Sequence, residues 1–394
     1  MYRIVFLPII IFTFCYPQEH QLLNKSREDQ LNFQKDKIAN EHNSLKNNWI
    51  SPWSIQSSIN KNISTTNTHT SAKKISIGFS QDIYRSGGIN FSIQYANEKY
   101  KQDLYELEDE RSTLLYEIYN NLLRIKKIKM QIDQNRYSLK NQDIEIYKKK
   151  IQYESGQIDI VELNNALMGK NTKIKENIIL KNSLTNSLKE LSRYTDLKYD
   201  EIELINFNSI NKDKFLSSNL SLKIQQAKES LSQKEYQKNK SDYLPSVSLK
   251  GEYGYSQSEN NTLDTTNKGD HSSIGVYLSI PIDYFKSSKL NVSKKEHLIQ
   301  KNRSIILKKE LLVEYEQTIN NIKLYEEHNK ILNNNIELYD ELLNIVLVKV
   351  KNGYVSKYDA DILNNTKKID MLELKINEIS IQEQLALLFF KMKG

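Results

Sequence analysis

The sequence predicts a mainly α-helical protein with a smaller membrane β part, in which long coiled-coil helical hairpins occur twice in one duplicated chain. Only 11 Gly and 5 Pro interrupt 394 residues, which favours long uninterrupted helices. Apolar residues recur at every seventh position over long stretches, as is typical of coiled coils. Ser76-Ile77-Gly78 also returns as Ser273-Ile274-Gly275, about 197 residues later, and such a long internal repeat indicates an extended, duplicated architecture.

Residues 1–17 are predicted to be a signal peptide. Arg3 precedes an apolar stretch from Ile4 to Phe14, which is too short to cross a bilayer and suits the apolar segment of an export signal. Cys15 is the only cysteine, so a disulfide within the mature chain is excluded. Two alternatives stay open for Cys15: it is acylated, as in a lipoprotein, or it is discarded with the signal peptide.

Charge and motif content argue against nucleic-acid binding and against catalysis. The net charge is +7, but 49 acidic residues are interspersed with the 56 basic ones, which disfavours a basic patch. We find no phosphate-binding glycine loop, nucleophile elbow or pair of catalytic carboxylates. The six histidines are scattered, without the spacing of metal ligands on one helix face. We therefore expect no enzymatic activity, no nucleic-acid partner, no cofactor and no metal.

In the first half, a short helix from about Glu19 to Asn47 is followed by a long one from Ile89 to about Tyr153. This long helix turns at Gly156 into a shorter helix from about Asp159 to Arg193. At 1.5 Å per residue the long helix measures roughly 100 Å. Its seven-residue repeat consists of Leu104, Ile118, Ile125, Ile132, Leu139, Ile146 and Tyr153, with Arg111 as the one polar member.

The second half repeats this order, with a short helix from about Lys212 to Asp242 and a long one from about Lys286 to Lys351. The chain turns at Gly353 into a helix from about Tyr358 to Lys391. The apolar repeat of the long helix slips once, which indicates that its seam contacts two different neighbours. The predicted domains are thus two repeats, 18–210 and 211–394, with strands at about 50–84 and 245–283 and helical turns near 156 and 353.

The strand regions alternate between apolar and polar residues. Ile75, Ile77 and Phe79 share one face of the stretch Lys73–Tyr84, and the stretch Ser273–Asp283 alternates in the same way. Alternation of this kind is typical of outer-membrane barrel strands, but also of a half-buried soluble sheet. The membrane alternative is favoured because the helices use their apolar residues in coiled-coil seams and leave little to cover a sheet.

Four strands are too few to close a barrel, since about eight is the practical minimum. Open strand edges in lipid would leave backbone groups without hydrogen bonds, at several kcal/mol each. A membrane location therefore requires that several copies of the chain share one barrel. Three copies would supply twelve strands, although the residues alone do not select three.

Several junction motifs resemble those of the TolC family of outer-membrane efflux and secretion channels. Phe79-Ser80-Gln81-Asp82-Ile83-Tyr84 with Gly87-Gly88 is similar to the family's strand-to-helix junction, and Leu278-Ser279-Ile280-Pro281-Ile282 to its second copy. Tyr243-Leu244-Pro245 resembles the start of the third strand. The resemblance covers essentially the whole mature chain.

The resemblance implies a homotrimer with a shared twelve-strand β-barrel in the outer membrane and a helical α-barrel in the periplasm. It also implies export of small molecules or proteins in a tripartite efflux or type I secretion system, with a periplasmic adaptor protein and an inner-membrane pump as partners. The alternative is a coiled-coil structural protein of the cell envelope without a pore. The amphipathic strands and the paired glycine turns favour the channel, because a fibrous protein needs neither.

The resemblance further assigns the residues of the two turns and of the periplasmic entrance. The adaptor-facing turns would be Ser155, Gly156 and Gln157, and Asn352, Gly353 and Tyr354. The entrance would be lined by acidic residues at Glu162, Asp359 and Asp361. Simpler roles stay open, since glycine commonly caps helix C-termini and acidic residues favour helix N-termini.

Three positions depart from the family pattern. Val355 stands where some members have a basic residue that holds the entrance shut, and Ile362 where a second acidic residue is expected. Lys286-Ser287-Ser288 replaces the usual glycine pair of the second junction.

Overall fold

The computed structural model describes residues 22–63, 69–260 and 265–392, so the predicted signal peptide and Cys15 lie outside the described residues. Over these residues the structure is mainly helical with four strands, as predicted. In chain order the elements are α1 Lys25–Asn47, β1 Ser54–Ile63, β2 His69–Tyr84, α2 Gly88–Glu154, α3 Ile160–Leu191, a short 3-10 helix Tyr199–Glu201, α4 Lys212–Ser218, α5 Leu220–Ser241, β3 Ser246–Asn260, β4 Thr265–Ser279, α6 Lys286–Lys351 and α7 Lys357–Phe390.

Two elements end earlier than the sequence pattern predicts. The alternating stretch Ser273–Asp283 continues past the end of β4 at Ser279, because Pro281 has no backbone N–H to donate to a strand ladder. The helix predicted from Lys212 to Asp242 is broken in two. Asn219 is fully buried between α4 and α5, and its side chain accepts a hydrogen bond from the Leu222 N–H at 3.0 Å, which caps α5.

The described chain forms two compact units. The first comprises residues 22–32, 110–217 and 312–392. Within it, α2 lies beside both α3 and α7, and α6 lies beside α7. One asparagine pair bridges each of these three seams, with Nδ2–Oδ1 distances of 2.9–3.0 Å, and such buried polar pairs fix the register of neighbouring helices. The pairs are Asn135–Asn177, Asn141–Asn365 and Asn329–Asn377.

An aromatic cluster closes the core of this first unit. The Tyr119 ring is stacked on Phe390 at 5.5 Å and meets Phe207 edge-on at 5.9 Å. The Gln382 side chain accepts a hydrogen bond from the Phe207 N–H at 2.7 Å and donates one to its carbonyl at 3.3 Å. The segment after the 3-10 helix is thereby fastened to the end of α7, and Phe207 and Phe390 are both buried.

The second unit comprises residues 33–109 and 218–311 and contains the sheet. The four strands are antiparallel in the order β1-β2-β3-β4, so the central β2–β3 pair joins the two halves of the chain. Ile55 is opposite Ile77, and Ile77 is opposite Tyr253. A bulge at Ile83 ends the regular ladder of β2. Apolar side chains of one sheet face are exposed, with Ile55 at 74% and Ile274 at 78%.

The seven-residue stripe of α6 is also exposed in the single chain. By contrast, Ile118 and Ile125 of the α2 stripe are completely buried. Six α6 side chains of the stripe are each between 43% and 59% exposed, whereas Leu312 and Ile319 of the same repeat are half-buried. The single chain therefore leaves most of this predicted coiled-coil seam uncovered. The six exposed side chains are Leu298, Ile305, Leu324, Ile331, Leu338 and Ile345.

Candidate functional site

The two helical turns are built in the same way. Gly156 follows α2 with φ of 73°, and Gly353 follows α6 with φ of 74°. At each turn the glycine N–H donates to the carbonyl three residues before it, at 3.0 Å. The next N–H donates to the carbonyl five residues before it, at 2.8 Å for Gln157 and 2.9 Å for Tyr354. This pair of bonds is the Schellman motif, which requires a left-handed residue at the glycine position.

The residues of both turns are exposed. Ser155, Gly156 and Gln157 lie on the surface of the first turn, and Asn352, Gly353 and Tyr354 on that of the second. Tyr354 is 80% exposed, an unusual position for a large aromatic side chain. A Cβ atom added to Gly156 or Gly353 would meet nothing within 4 Å, so their backbone conformation, and not crowding, calls for glycine.

Each turn leads into a capped helix. The Asp159 carboxylate accepts a hydrogen bond from the Glu162 N–H at 3.0 Å and caps α3. The Ser356 hydroxyl accepts one from the Tyr358 N–H at 3.2 Å and caps α7. Both caps satisfy backbone donors at a helix N-terminus. These caps were not predicted, although Asp and Ser at the first residue before a helical pattern are recognisable signals.

The predicted entrance acids are paired with lysines of α2. The Lys149 ammonium lies 2.5 Å from the Glu162 carboxylate, and this hydrogen bond raises the pKa of Lys149. Lys148 forms an ion pair with Asp359 of α7. Two adjacent lysines thus hold the acidic residues that stand six positions after each glycine. Lys148 and Lys149 were not predicted as part of the site, because basic residues near a helix C-terminus are favoured by the helix dipole alone.

An aromatic pair lies beside the Asp359 ion pair. The Tyr147 and Tyr358 rings are 5.0 Å apart at a tilt of 53°. A hydrogen bond with Tyr147 raises the pKa of the Tyr358 hydroxyl, and the nearby negative charge of Asp361 acts in the same direction. Asp359 and Asp361 both lie near the start of α7, while Glu162 lies near the start of α3.

The described residues show no metal centre. Nowhere among those residues do three His, Cys, Asp or Glu side chains come together as metal ligands would. His42 is stacked on Tyr100 at 4.5 Å, and His271 contacts Glu252 at 3.1 Å. Among the helices of the described chain, none combines the length and the apolar character needed to cross a membrane.

Residues 212–361, which include the sheet half formed by β3 and β4 and the second turn, match the family described as outer membrane efflux protein. The predicted family resemblance is confirmed. The description also agrees with the predicted outer-membrane location. None of the curated protein sequences matches this chain.

Solved channel structures share the fold over nearly the whole chain. The outer membrane protein VceC from Vibrio cholerae is 11% identical, covers 94% of this chain and 93% of its own, and has a TM-score of 0.73. The CmeC outer membrane channel of Campylobacter jejuni is 14% identical, covers 95% of this chain and 84% of its own, and has a TM-score of 0.70. The open MtrE channel of Neisseria gonorrhoeae is 12% identical, covers 95% of this chain and 87% of its own, and has a TM-score of 0.63. At these identities the likeness establishes the fold.

Proposed function

We propose that this protein is one subunit of a homotrimeric outer-membrane channel that exports small molecules or proteins. The proposal rests on the four-stranded sheet, which has both an exposed apolar face and two unpaired strand edges. In the described chain the outer edges of β1 and β4 pair with no further strand. In lipid each unpaired backbone group costs several kcal/mol, so the edges must meet those of other copies.

Three copies of this sheet would make a closed barrel of twelve strands, an even number within the range of outer-membrane barrels. The apolar face would contact outer-membrane lipid, and the polar face would line the pore. Ile55, Ile274 and their neighbours on this face would then be covered. The family description of residues 212–361 supports the outer membrane as the location.

The helices support the same assembly. The exposed stripe of α6 is a coiled-coil seam, and α3 presents further exposed apolar residues, including Ile174 at 40% and Ile178 at 63%. A neighbouring copy would cover both surfaces, since α6 of one chain and α3 of the next carry the uncovered seams. The α-barrel that results would extend into the periplasm.

The two turns would be the docking site of a periplasmic adaptor protein that connects the channel to an inner-membrane pump. Their exposed residues, and Tyr354 above all, offer the kind of surface on which protein interfaces form. Asp359, Asp361 and Glu162 would line the periplasmic entrance. In this role the protein is a passive duct of a tripartite efflux or type I secretion system, and no enzymatic activity is proposed for it.

A coiled-coil structural protein of the envelope is the alternative, and one experiment separates the two. The channel proposal predicts that native mass measurement of the detergent-purified protein gives a trimer, and that the trimer conducts ions in planar bilayers. A stable monomer would contradict the shared barrel. A trimer without conductance would favour the structural protein.

A further inference from the structure

A cluster of charged side chains lies on the sheet's polar face. This face, opposite Ile77 and Ile274, consists mostly of serine, glycine, asparagine and glutamine. Lys74 of β2, Lys250 and Glu252 of β3 and His271 of β4 stand out against these neutral residues. The strand register places Lys74, His271, Glu252 and Lys250, in that order, on four successive rows of this face.

Glu252 is already engaged by two partners. The Lys74 ammonium lies 2.5 Å from its carboxylate, and the His271 Nε2 lies 3.1 Å from the same oxygen. Lys250 has no such partner, since none of the described carboxylates is within ion-pair distance of it. Its ammonium instead lies 4.6 Å from the centre of the Tyr277 ring, a cation–π contact. Asp82 of β2 also lies on this face but is paired with Arg85 at 3.4 Å. The Lys74–Glu252 pair is neutral overall, so Lys250 is left as the excess positive charge of this cluster.

Two glycines fix the rings that surround these charges. The Tyr277 ring lies against Gly275, where an added Cβ would stand 3.1 Å from it. The His271 ring lies over Gly254, where an added Cβ would be 2.8 Å from the ring. The His271 Nδ1 is buried and lacks a hydrogen-bond partner among the described residues. Both rings therefore pack against a glycine of the sheet, and the Tyr277 ring lies beside the Lys250 ammonium.

We propose that Lys250, together with the cluster of Lys74, Glu252 and His271, forms a selectivity site that favours anionic solutes, such as those carrying carboxylate or phosphate groups. The inference rests on the proposed function, because only a shared barrel turns the polar face into a pore lining and one excess charge into a ring of three. Low-dielectric walls focus the field of such a ring along the pore.

The test is the reversal potential of the purified full-length channel in planar bilayers under a potassium chloride gradient. Lys250→Gln is expected to move the potassium-to-chloride permeability ratio toward potassium by roughly twofold. Glu252→Gln should move it toward chloride. Lys73→Gln is the matched control, because Lys73 precedes Lys74 on β2, is exposed and belongs to the apolar face. The ratio should be unchanged in this variant.

Salt provides a second signature. The shift in Lys250→Gln should shrink between 0.1 M and 1 M salt, because the Debye length falls from about 10 Å to about 3 Å. Lys250→Arg should keep the wild-type ratio. If wild type, Lys250→Gln and Glu252→Gln all conduct with the same permeability ratio, the selectivity site is overturned while the proposed channel function still holds. A shift of the permeability ratio in Lys73→Gln as large as that in Lys250→Gln would also overturn the selectivity site. Wild-type protein that does not conduct ions would instead overturn the proposed channel function.

Discussion

Single residues at the two turns determine how each helical hairpin reverses direction. Gly156 and Gly353 have nearly the same positive φ, although they lie in different halves of the chain. Open space surrounds both, so a side chain would be disfavoured by the backbone alone. The left-handed conformation costs a residue with a Cβ atom roughly 1–2 kcal/mol, and more for a β-branched one.

Gly353→Val should abolish export while the trimer still assembles. The strain is confined to an exposed turn, so the barrel and the seams keep their contacts, but the turn that we propose for adaptor docking changes shape. Export assays and native mass measurement would be made on the same preparation. Gly353→Asn is the control, because asparagine tolerates the left-handed region, and it should export normally. Normal export by the valine variant would place adaptor docking elsewhere.

Because Lys148 and Asp359 form an ion pair, removing one or the other should change the ion selectivity of the entrance in opposite directions. Asp359→Asn should lower cation selectivity in bilayer recordings and weaken block by multivalent cations, because it removes a carboxylate and leaves Lys148 unpaired. Lys148→Gln should raise cation selectivity, since Asp359 then keeps its full charge. Unchanged selectivity in both variants would show that this pair faces a helix seam and not the pore.

At the scale of elements, sequence periodicity predicted the long helices well, because their apolar repeat is local to each helix. The stretch without glycine or proline and the seven-residue repeat predicted α6 from Lys286 to Lys351, where the structure also has it. The pattern was wrong beyond Ser279, because hydrogen bonding and not hydrophobicity ends β4 before Pro281. It also missed Asn219, whose capping role depends on its buried surroundings.

The candidate site could be predicted only in part. The turn glycines and the acids six positions later are visible in the sequence because they are local and occur twice. The partners of those acids are not, since the register between α2 and α7 is set by tertiary contacts such as the Asn141–Asn365 bridge. The same holds for the pairing of Lys74 with Glu252, which depends on how β2 aligns with β3.

Glycines in the sheet differ sharply in how much space they leave, and this gives an element-scale prediction. A Cβ atom at Gly254 would lie 2.6 Å from the Ile75 carbonyl oxygen, whereas one at Gly269 would meet nothing within 4 Å. Gly254→Val should therefore cost about 1–3 kcal/mol through crowding and lower the temperature at which the trimer dissociates on heating. Gly269→Val, on the same sheet face, is the control and should dissociate like the wild type. Equal stability of the two variants would contradict the close approach at Gly254.

At the scale of the whole molecule, the unpaired edges of β1 and β4 show why the proposed barrel needs more than one chain. Both edges belong to the same four-stranded sheet, and antiparallel order gives them opposite directions. The β4 edge of one copy can therefore pair with the β1 edge of the next in the antiparallel sense found inside each chain. Repetition around a three-fold axis closes the ring without leaving an edge.

Engineered disulfides test this arrangement directly. In a Cys15→Ser background the chain has no other cysteine. Ser57→Cys on β1, combined in turn with a cysteine at each position of β4, should give covalent species of up to three chains for at least one combination. Ser57→Cys with Ile75→Cys is the control, because these residues face each other within one chain, and it should give monomers only. Monomers in every β1–β4 combination would rule out the shared barrel.

Free strand edges on every copy also have a genetic consequence. If the channel is the proposed homotrimer, a cell that makes working and defective chains in equal amounts assembles them at random, and only about one trimer in eight contains three working chains. A defective allele that keeps β1 and β4 intact should therefore act dominantly and suppress export far below one half. An allele whose edges can no longer pair should be recessive, because its product never enters a barrel.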